Sequence, residues 1–315
     1  MRYSGIGGQA VMEGVMMKNK DRYAVAVRKP DHEISVEVFD YPGLVKNKTL
    51  KNAPVIRGVL NFIDSLVLGM RSLTYSASFF EEEDNEKKEK DPVLAEKKEK
   101  REMGITVFVS IVVAVAVFMV LPYYLSRIFA RFVTSETLLA LIEGVIRLAI
   151  FIGYILLISC MEDIRRVFMY HGAEHKCINC IEHGMELTVE NVRKSSRQHK
   201  RCGTSFLLFV MIISIIFFAF IRVDSPIFRL VLRLALIPVI AGVSYEFIRI
   251  AGRSDNVLVN LISKPGLMLQ GLTTKEPDDE MIEVGIASVE AIFDWKAYLR
   301  EEGILPDTGN EKGQL

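Results

Sequence analysis

The sequence has no surplus of charge of either sign, since 39 lysines and arginines balance 39 aspartates and glutamates among its 315 residues. No nucleic-acid partner is expected, because binding to a phosphate backbone requires a basic surface. Cysteine is also scarce, and the four residues present fit a reducing compartment in which thiols stay available to a metal. No cleavable signal peptide is expected, because glycines and charges interrupt the first 20 residues.

Hydrophobic residues, by contrast, make up 50% of the chain and are concentrated in long runs. As helices, four of these runs are long enough to cross a hydrocarbon core of about 30 Å. They cover residues 103–126, 137–161, 203–221 and 230–248. The pattern predicts an α-helical integral membrane protein with a four-transmembrane-helix bundle, so the lipid bilayer is its first expected partner.

Lysine and arginine are unevenly distributed around the predicted spans. Seven lie within residues 87–101, before the first span, and eight within residues 165–201, between the second and third spans. The two loops on the opposite side carry Arg127, Arg131, Arg222 and Arg229. Because positively charged loops stay on the cytoplasmic side, the sequence predicts a multi-pass protein of the inner cell membrane. Both termini and the 162–202 loop are expected in the cytoplasm.

Two of the predicted spans contain charged residues. Glu143 and Arg147 lie four positions apart in the second span, so they share one helix face. They belong either to a proton or ion pathway or to an ion pair buried between helices. Arg233 and Glu246 lie near the ends of the fourth span, where their side chains are expected to reach the two membrane surfaces.

The segments outside the spans predict a cytoplasmic α+β part. Apolar and polar residues alternate over 22–39 on either side of Pro30 and Asp31, which is typical of a β-hairpin. After the last span, proline and glycine within 264–277 are expected to separate two helical stretches. The predicted organisation is a glycine-rich N-terminal segment with the hairpin (1–50), an amphipathic interfacial helix (51–80), a charged linker (81–102), transmembrane helices 1 and 2 (103–161), a His/Cys metal-site loop (162–202), transmembrane helices 3 and 4 (203–250) and C-terminal helices (251–315).

Histidine and cysteine are concentrated in the loop between the second and third predicted spans. Seven of the nine such residues in the chain lie within 32 positions: His171, His175, Cys177, Cys180, His183, His199 and Cys202. Packing does not account for so many imidazoles and thiols in one segment, whereas metal binding does. We therefore expect a divalent metal as cofactor, with zinc as the first candidate.

His171, Glu174 and His175 form the pattern H-x-x-E-H. On a helix the two histidines lie one turn apart on one face, where both can reach a single zinc ion at about 2.0–2.1 Å. The carboxylate of Glu174 would then either act as general base on a water at the metal or hold a ligand in place. The same H-x-x-E-H order occurs in one class of metalloproteases. Gly172 within the pattern disfavours a regular helix.

A third ligand is expected immediately before the third span. Cys202 and His199 are the two choices, because the second span ends and the third begins on the same side of the membrane, near His171. Three protein ligands and an open position would indicate catalysis. Cys177 and Cys180, joined by Cys202 and one histidine, would instead make a closed structural site. The spacing leaves both arrangements open.

Four ordered motifs resemble the YqhQ-like family of bacterial membrane proteins: GGQAVMEGVMM (7–17), YHGAEHKCINC (170–180), HKRCGTSFL (199–207) and PGLMLQGLTTKEP (265–277). The resemblance extends over nearly the whole chain and implies a metal-dependent enzyme. Two positions depart from the family pattern, which has proline at Lys200 and an aromatic residue at Ile181, and neither is an expected ligand. The residues that match motif positions are Gly8, Gln9, Glu13, His171, Glu174, His175, His199, Arg201 and Cys202.

These features predict two alternative functions. In the first, the protein is a zinc-dependent hydrolase at the membrane surface, in which His171, His175 and either Cys202 or His199 hold the metal and Glu174 is the base. In the second, the metal is structural and stabilises a cytoplasmic platform for membrane-protein biogenesis or quality control. Translocon components would be the partners of such a platform.

Overall fold

The computed structural model describes residues 3–45, 48–80, 92–221, 223, 225–252 and 256–306. Within them, four strands precede a series of helices. The strands are β1 (Gly7–Val11), β2 (Gly14–Asn19), β3 (Arg22–Arg28) and β4 (Ile34–Asp40). The α-helices are α1 (Lys48–Asn52), α2 (Ile56–Ala77), α3 (Pro92–Val115), α4 (Leu121–Arg127), α5 (Glu136–Ile158), α6 (Glu162–Glu182), α7 (Val189–Lys194), α8 (Gly203–Ala219), α9 (Pro226–Ala251), α10 (Val257–Thr273), α11 (Asp279–Glu290) and α12 (Trp295–Glu301).

The N-terminal strands form one antiparallel sheet in the order β1-β2-β3-β4. The predicted hairpin over 22–39 is confirmed as β3 and β4, with Val25 opposite Glu37. The glycine-rich segment before it adds a second hairpin, which the sequence did not predict because glycine is depleted in strands. Gly14 permits the pairing of β2 with β3, since a Cβ atom there would lie 2.3 Å from the carbonyl oxygen of Ala26.

The chain divides into two compact units, the first made of residues 1–80, 156–208 and 241–315 and the second of 81–155 and 209–240. In the first unit the sheet has a hydrophobic core on each face. Met17 packs on one face with residues of α6 and α11, and Met16 packs on the other face with Leu68 of α2. Neighbouring residues of β2 therefore point to opposite cores, as the pleat requires.

Helix α2 confirms the helix predicted within 51–80. Its buried residues include Leu68, Ser72 and Ser76, which lie four positions apart and share one face of the helix. The helix also carries exposed apolar residues. The exposed apolar residues are Ile56, Ile63, Leu66, Met70 and Leu73. This pattern is that of an amphipathic helix, and its position at a membrane interface stays a prediction.

Three helices among the described residues are long and apolar enough to cross a membrane, and they correspond to the first, second and fourth predicted spans. They are Arg101–Arg131, Glu136–Ile158 and Pro226–Ala251. The third predicted span forms α8, which is apolar but has 17 residues, a length of about 25 Å against a hydrocarbon core of about 30 Å. The helices fit a membrane protein.

The two charged residues of the fourth predicted span each have an oppositely charged partner. In the first unit, Glu246 accepts hydrogen bonds from the guanidinium of Arg57, with 2.6 Å between Arg57 Nε and Oε1. In the second unit, Arg233 is 3% exposed. Arg233 is thus buried instead of reaching outward, because its partner Glu143, far away in sequence, removes the need to reach water. The position of Glu246 at a membrane surface stays a prediction.

The C-terminal region is more helical than its composition predicts. Helix α10 continues through Pro265 and Gly266, where the sequence predicted an interruption. An interior proline costs about 3 kcal/mol of helix stability, and burial of Leu269 and Gln270 on the same helix offsets this cost. The second predicted helical stretch, after residue 277, is present as α11 and α12.

Candidate metal centre

Helix α6 carries three of the predicted site residues on one face. Glu162 and Asp163 in its first turn favour helix formation, because their charges interact with the helix dipole. The helix is regular through Gly172, contrary to the sequence expectation. A Cβ atom at Gly172 would lie 2.0 Å from the carbonyl oxygen of Lys275, so the glycine serves the close approach of a neighbouring segment.

His171, His175 and Cys202 lie together at this face. Their ligand atoms are all within 4.8 Å of one another, and the Cys202 Sγ is 3.2 Å from the Nε2 of His171. The two imidazole rings are 4.4 Å apart between centroids. His175 and Cys202 are buried, and His171 is half-buried. One thiol and two imidazoles thus converge on a space that a single ion can fill.

Backbone carbonyls hold the two imidazole rings in place. The Nδ1 of His171 donates to the carbonyl oxygen of Thr273 at 2.9 Å, and the Nδ1 of His175 donates to that of Arg197 at 2.7 Å. In a neutral imidazole whose proton is on Nδ1, the lone pair is on Nε2, which in both residues faces the shared space. Such outer hydrogen bonds fix the tautomer and the orientation of metal-binding histidines.

Glu174 lies beside the three converging groups. Its Oε2 is 3.4 Å from the Nε2 of His175 and 4.0 Å from the Nε2 of His171. The carboxylate is buried, and Gly8 of β1 packs directly against it, since a Cβ atom there would lie 2.7 Å from the Cγ of Glu174. The position suits either a general base next to the metal or a further ligand.

The charges in the cluster stabilise one another. Burial raises the pKa of Cys202, but the neighbouring imidazoles outweigh this effect and hold that pKa well below its usual range. Burial lowers the pKa of His171, yet the charge of the Cys202 thiolate holds it above its ordinary value. For His175, the charges of Glu174 and Cys202 likewise overcome burial and raise the pKa to about 9. The lowered pKa favours the thiolate, which is the form that metals bind, whereas the raised pKa values favour protonated imidazoles, whose Nε2 protons a metal ion would displace on binding.

His199, the other predicted third ligand, is not part of the group of three. Its Nε2 lies 3.2 Å from the Oε2 of Glu182, and the guanidinium of Arg201 pairs with the second oxygen of the same carboxylate. Ser4 donates to that second oxygen as well, through its backbone N–H and its hydroxyl. These contacts form a separate buried network next to the cluster.

The charges of this network act on Glu182. Burial raises the pKa of its carboxyl, but the hydrogen bond from His199 and the charge of Arg201 overcome burial and hold the pKa at about 2. The carboxylate is therefore ionised at neutral pH.

Cys177 and Cys180 lie outside the cluster and do not form the closed site that was the alternative. Cys177 packs in the core against Gly285, and Cys180 Sγ is 3.3 Å from the carbonyl oxygen of Glu186. Burial raises the pKa of both thiols, that of Cys180 to about 11. They behave as small hydrophobic residues.

Sequence reasoning missed the residues that position the ligands. Gln270 is fully buried and bonds to both the N–H and the carbonyl of His199, which fixes the segment leading to Cys202. Thr273 and Arg197 act through their backbone carbonyls. Every residue has such a carbonyl, so the residue type does not identify these two positions in the sequence. Gln270 and Thr273 lie in the PGLMLQGLT stretch, and only the membership of this stretch in a family motif indicated that they matter.

Two comparisons bear on the identity of the chain. Residues 53–295 match the family model described as a protein of unknown function, DUF1385. The chain is also 36% identical over 311 residues to the uncharacterized protein YqhQ of Bacillus subtilis (strain 168), with 95% of each chain covered. No solved structure matches it. The match to YqhQ over most of the length confirms the resemblance seen in the four motifs, and the chain belongs to the DUF1385 family.

Proposed function

We propose that the protein is a multi-pass membrane protein that binds one divalent metal and catalyses hydrolysis at the cytoplasmic membrane surface. Zinc is the first candidate for this metal. The observation that carries the proposal is the convergence of three ligand atoms within 4.8 Å, with both imidazoles oriented by backbone carbonyls. A chance grouping of polar residues would not place both Nδ1 atoms on carbonyls and both Nε2 atoms towards one thiolate.

The donor set favours zinc over harder cations. Thiolate and imidazole ligands suit zinc, copper and iron, whereas calcium and magnesium require oxygen ligands. Zinc has no redox chemistry and accepts a tetrahedral set of one sulfur and two nitrogens, with a fourth position left for water or substrate. His171, His175 and Cys202 would supply these three ligands, and His199 would remain in its network with Glu182.

Glu174 would be the base of the hydrolysis. A bound zinc ion lowers the pKa of a coordinated water and makes it nucleophilic near neutral pH. Glu174 has an oxygen within 4.0 Å of both imidazoles, so its carboxylate is in reach of a proton released in this space. Its burial next to Gly8 keeps the carboxylate in a fixed position.

Elemental analysis of the purified protein tests the metal site. The wild-type protein is expected to contain about one zinc per chain, and His171→Ala and His175→Ala are each expected to lose most of it. His32→Asn is the matched control, because this exposed histidine lies in the β3-β4 turn, and asparagine tolerates its positive φ of 68°. Equal metal content in all four proteins would contradict the proposal.

Glu174→Gln distinguishes a base from a ligand. If Glu174 is the base, the variant retains its zinc and folds like the wild type, but it loses hydrolysis of a panel of ester, amide and phosphoester substrates. Loss of zinc in Glu174→Gln would assign the carboxylate to the coordination shell and remove it as base.

The burial of the site favours one alternative function. His175, Glu174 and Cys202 are each at most 6% exposed, as in structural metal sites, which exclude solvent. In this alternative, the metal stabilises a cytoplasmic platform that acts with the translocon in membrane-protein biogenesis or quality control. Stable co-purification with translocon components, together with zinc-dependent folding and no turnover, would favour the platform over the hydrolase.

A further inference from the structure

In the second unit, the carboxylate of Glu143 lies between two arginines. Arg147 Nη2 is 2.6 Å from its Oε1, while Arg233 donates to both oxygens at 2.6 and 2.9 Å. All three side chains are at most 6% exposed. Both guanidinium groups also lie within 5.0 Å of the ring centroid of Phe218. A carboxylate held by three charge-assisted hydrogen bonds is a fixed counter-ion, not a mobile proton carrier.

Arg147 has further partners that fix its position. Its Nε donates to the carbonyl oxygen of Phe118 at 2.9 Å, and its Nη1 donates to the hydroxyl of Ser214 at 3.2 Å. Phe118 lies in a π-helical turn, Ala116–Val120, between α3 and α4. Arg147 is therefore fully engaged, whereas the buried Nε of Arg233 has no hydrogen-bond partner.

The described residues of this region carry an excess of positive charge. Glu143 faces two arginines, and Glu136 faces two more, Arg127 at 3.4 Å and Arg229 at 3.7 Å. Each of these arginines thus has a carboxylate partner, but each group of one carboxylate and two guanidiniums carries one excess positive charge, so the two groups together carry two. The excess at Glu143 is buried, and Arg229 of the other group is 12% exposed. A buried excess charge is costly in a low-dielectric environment unless an anion compensates it.

A cavity of about 120 Å³ lies next to these arginines. Arg229 and Arg233 line it, together with apolar side chains from α4 and α9 and from the π-helical turn. Several of these side chains are exposed on the outer surface of the unit, with Tyr124 at 62% and Ile227 at 77%. The apolar lining is Met119, Val120, Tyr123, Tyr124, Pro226, Ile227 and Leu230.

We propose that this cavity binds the phosphate group of an anionic amphiphile through Arg229 and Arg233. Guanidinium groups recognise phosphate oxygens through directed, charge-assisted hydrogen bonds, and the free Nε of Arg233 supplies a donor. A space of about four water volumes admits a headgroup phosphate but not a whole lipid, so the acyl chains lie along the exposed apolar side chains. This site does not depend on the metal centre.

Lipid binding to the purified full-length protein in detergent tests the proposal. Dioleoylphosphatidylglycerol, dioleoylphosphatidylcholine and inorganic phosphate are titrated separately, with bound lipid counted by native mass spectrometry and stability followed by thermal unfolding. The variants are Arg233→Gln and Arg229→Gln, which each remove one charge. Arg165→Gln is the matched control, because it removes an exposed arginine of α6 in the other unit.

The wild type and Arg165→Gln are expected to bind phosphatidylglycerol at least about tenfold more tightly than Arg233→Gln and Arg229→Gln do, since each variant loses a charge-assisted bond. Phosphatidylcholine, which has no net charge, is expected to bind weakly to every variant. Competition by inorganic phosphate would identify free phosphate as the source of the group, and its failure to compete would identify the lipid. Equal binding of both lipids, or unchanged affinity in Arg233→Gln and Arg229→Gln, would overturn the proposal.

Discussion

At the scale of single residues, the candidate metal centre depends on the state of one thiol. Cys202 lies 3.2 Å from an imidazole nitrogen, and the two histidines hold its pKa well below its usual range. Burial raises the pKa of the other two buried cysteines, Cys177 and Cys180. Proximity to His171 and His175, and not burial, therefore separates a ligand thiol from a packing thiol in this chain.

Cobalt substitution reports this thiolate directly. The wild-type protein loaded with Co²⁺ is expected to show visible bands of a tetrahedral site and a near-ultraviolet sulfur-to-cobalt charge-transfer band, because Cys202 is a ligand. Cys202→Ser is expected to lose the charge-transfer band. Cys160→Ser, which changes an exposed thiol, serves as the control and should leave the spectrum intact; loss of the band in that variant instead would argue against Cys202.

Glu182 provides a second prediction at this scale. Its pKa is held at about 2 against an ordinary value of 4.5, so its ionised form contributes about 3 kcal/mol to the free energy of unfolding. Because the folded pKa is depressed, this contribution is present above about pH 4.5 and is lost as the pH falls towards 2.

The variant Glu182→Gln is therefore expected to lower the thermal unfolding temperature at pH 7, and its difference from the wild type should shrink in acid. Glu190→Gln, at an exposed residue paired with Lys194, should leave the unfolding temperature nearly unchanged. An equal effect of the two substitutions at pH 7 would show that the Glu182 network does not stabilise the fold.

The ligand residues could be predicted from the sequence, whereas the groups that orient them could not. His171 and His175 stand out because imidazoles are rare in this chain and their spacing matches one helical turn. Thr273 O and Arg197 O are backbone atoms, and only the packing of distant segments brings them to the imidazoles. His199 was an equal candidate with Cys202 until its partner Glu182 was known.

At the scale of elements, the approach of the segment after α10 to α6 determines where the carbonyl of Thr273 lies. Gly172 makes this approach possible, because any side chain there would overlap the backbone of Lys275. The sequence pattern suggested only that glycine weakens the helix. Its packing role was hidden, since the partner lies about a hundred residues away.

Gly172→Ala is therefore expected to destabilise the protein by about 3 kcal/mol or more and to lower its zinc content, because relieving the overlap moves the carbonyl acceptor of His171. Gly271→Ala is the matched control: nothing lies within 4 Å of the added Cβ atom, and alanine is the better helix former. Thermal unfolding and elemental analysis of both variants check this, and equal stability would contradict the packing argument.

Element boundaries were predictable where an apolar run or a strand alternation was long, and they failed at glycine and proline. Strands β1 and β2 were missed because glycines reduce the strand signal, although pairing with β3 stabilises them. Helix α10 was predicted to stop near Pro265, but burial of the residues after the proline keeps the helix intact. Tertiary packing overrides local propensity in both cases.

At the scale of the whole molecule, the membrane arrangement is the main prediction. The long apolar helices were predicted because apolar runs of this length with few charges are typical of transmembrane helices. The partners of Arg233 and Glu246 were not foreseen, since contacts between distant helices leave no trace in one sequence. The sidedness of the chain follows from its lysines and arginines alone and is open to a direct test.

Cysteine labelling tests that sidedness. Cys160 at the end of α5 is the exposed cysteine among the described residues, and the proposed orientation places it on the cytoplasmic side. A membrane-impermeant maleimide is expected to label it in inverted membrane vesicles but not in intact cells. With Cys160→Ser as background, Thr134→Cys before α5 should show the opposite pattern; labelling of both positions from one side would contradict the topology.

X-ray absorption at the zinc edge of the purified, metal-replete protein tests the central claim most directly. We expect one zinc per chain with one sulfur neighbour at about 2.3 Å and two imidazole nitrogens at about 2.0–2.1 Å, completed by oxygen. The sulfur contribution should disappear in Cys202→Ser. A spectrum with no sulfur neighbour, or with two or more, would contradict a site built from His171, His175 and Cys202.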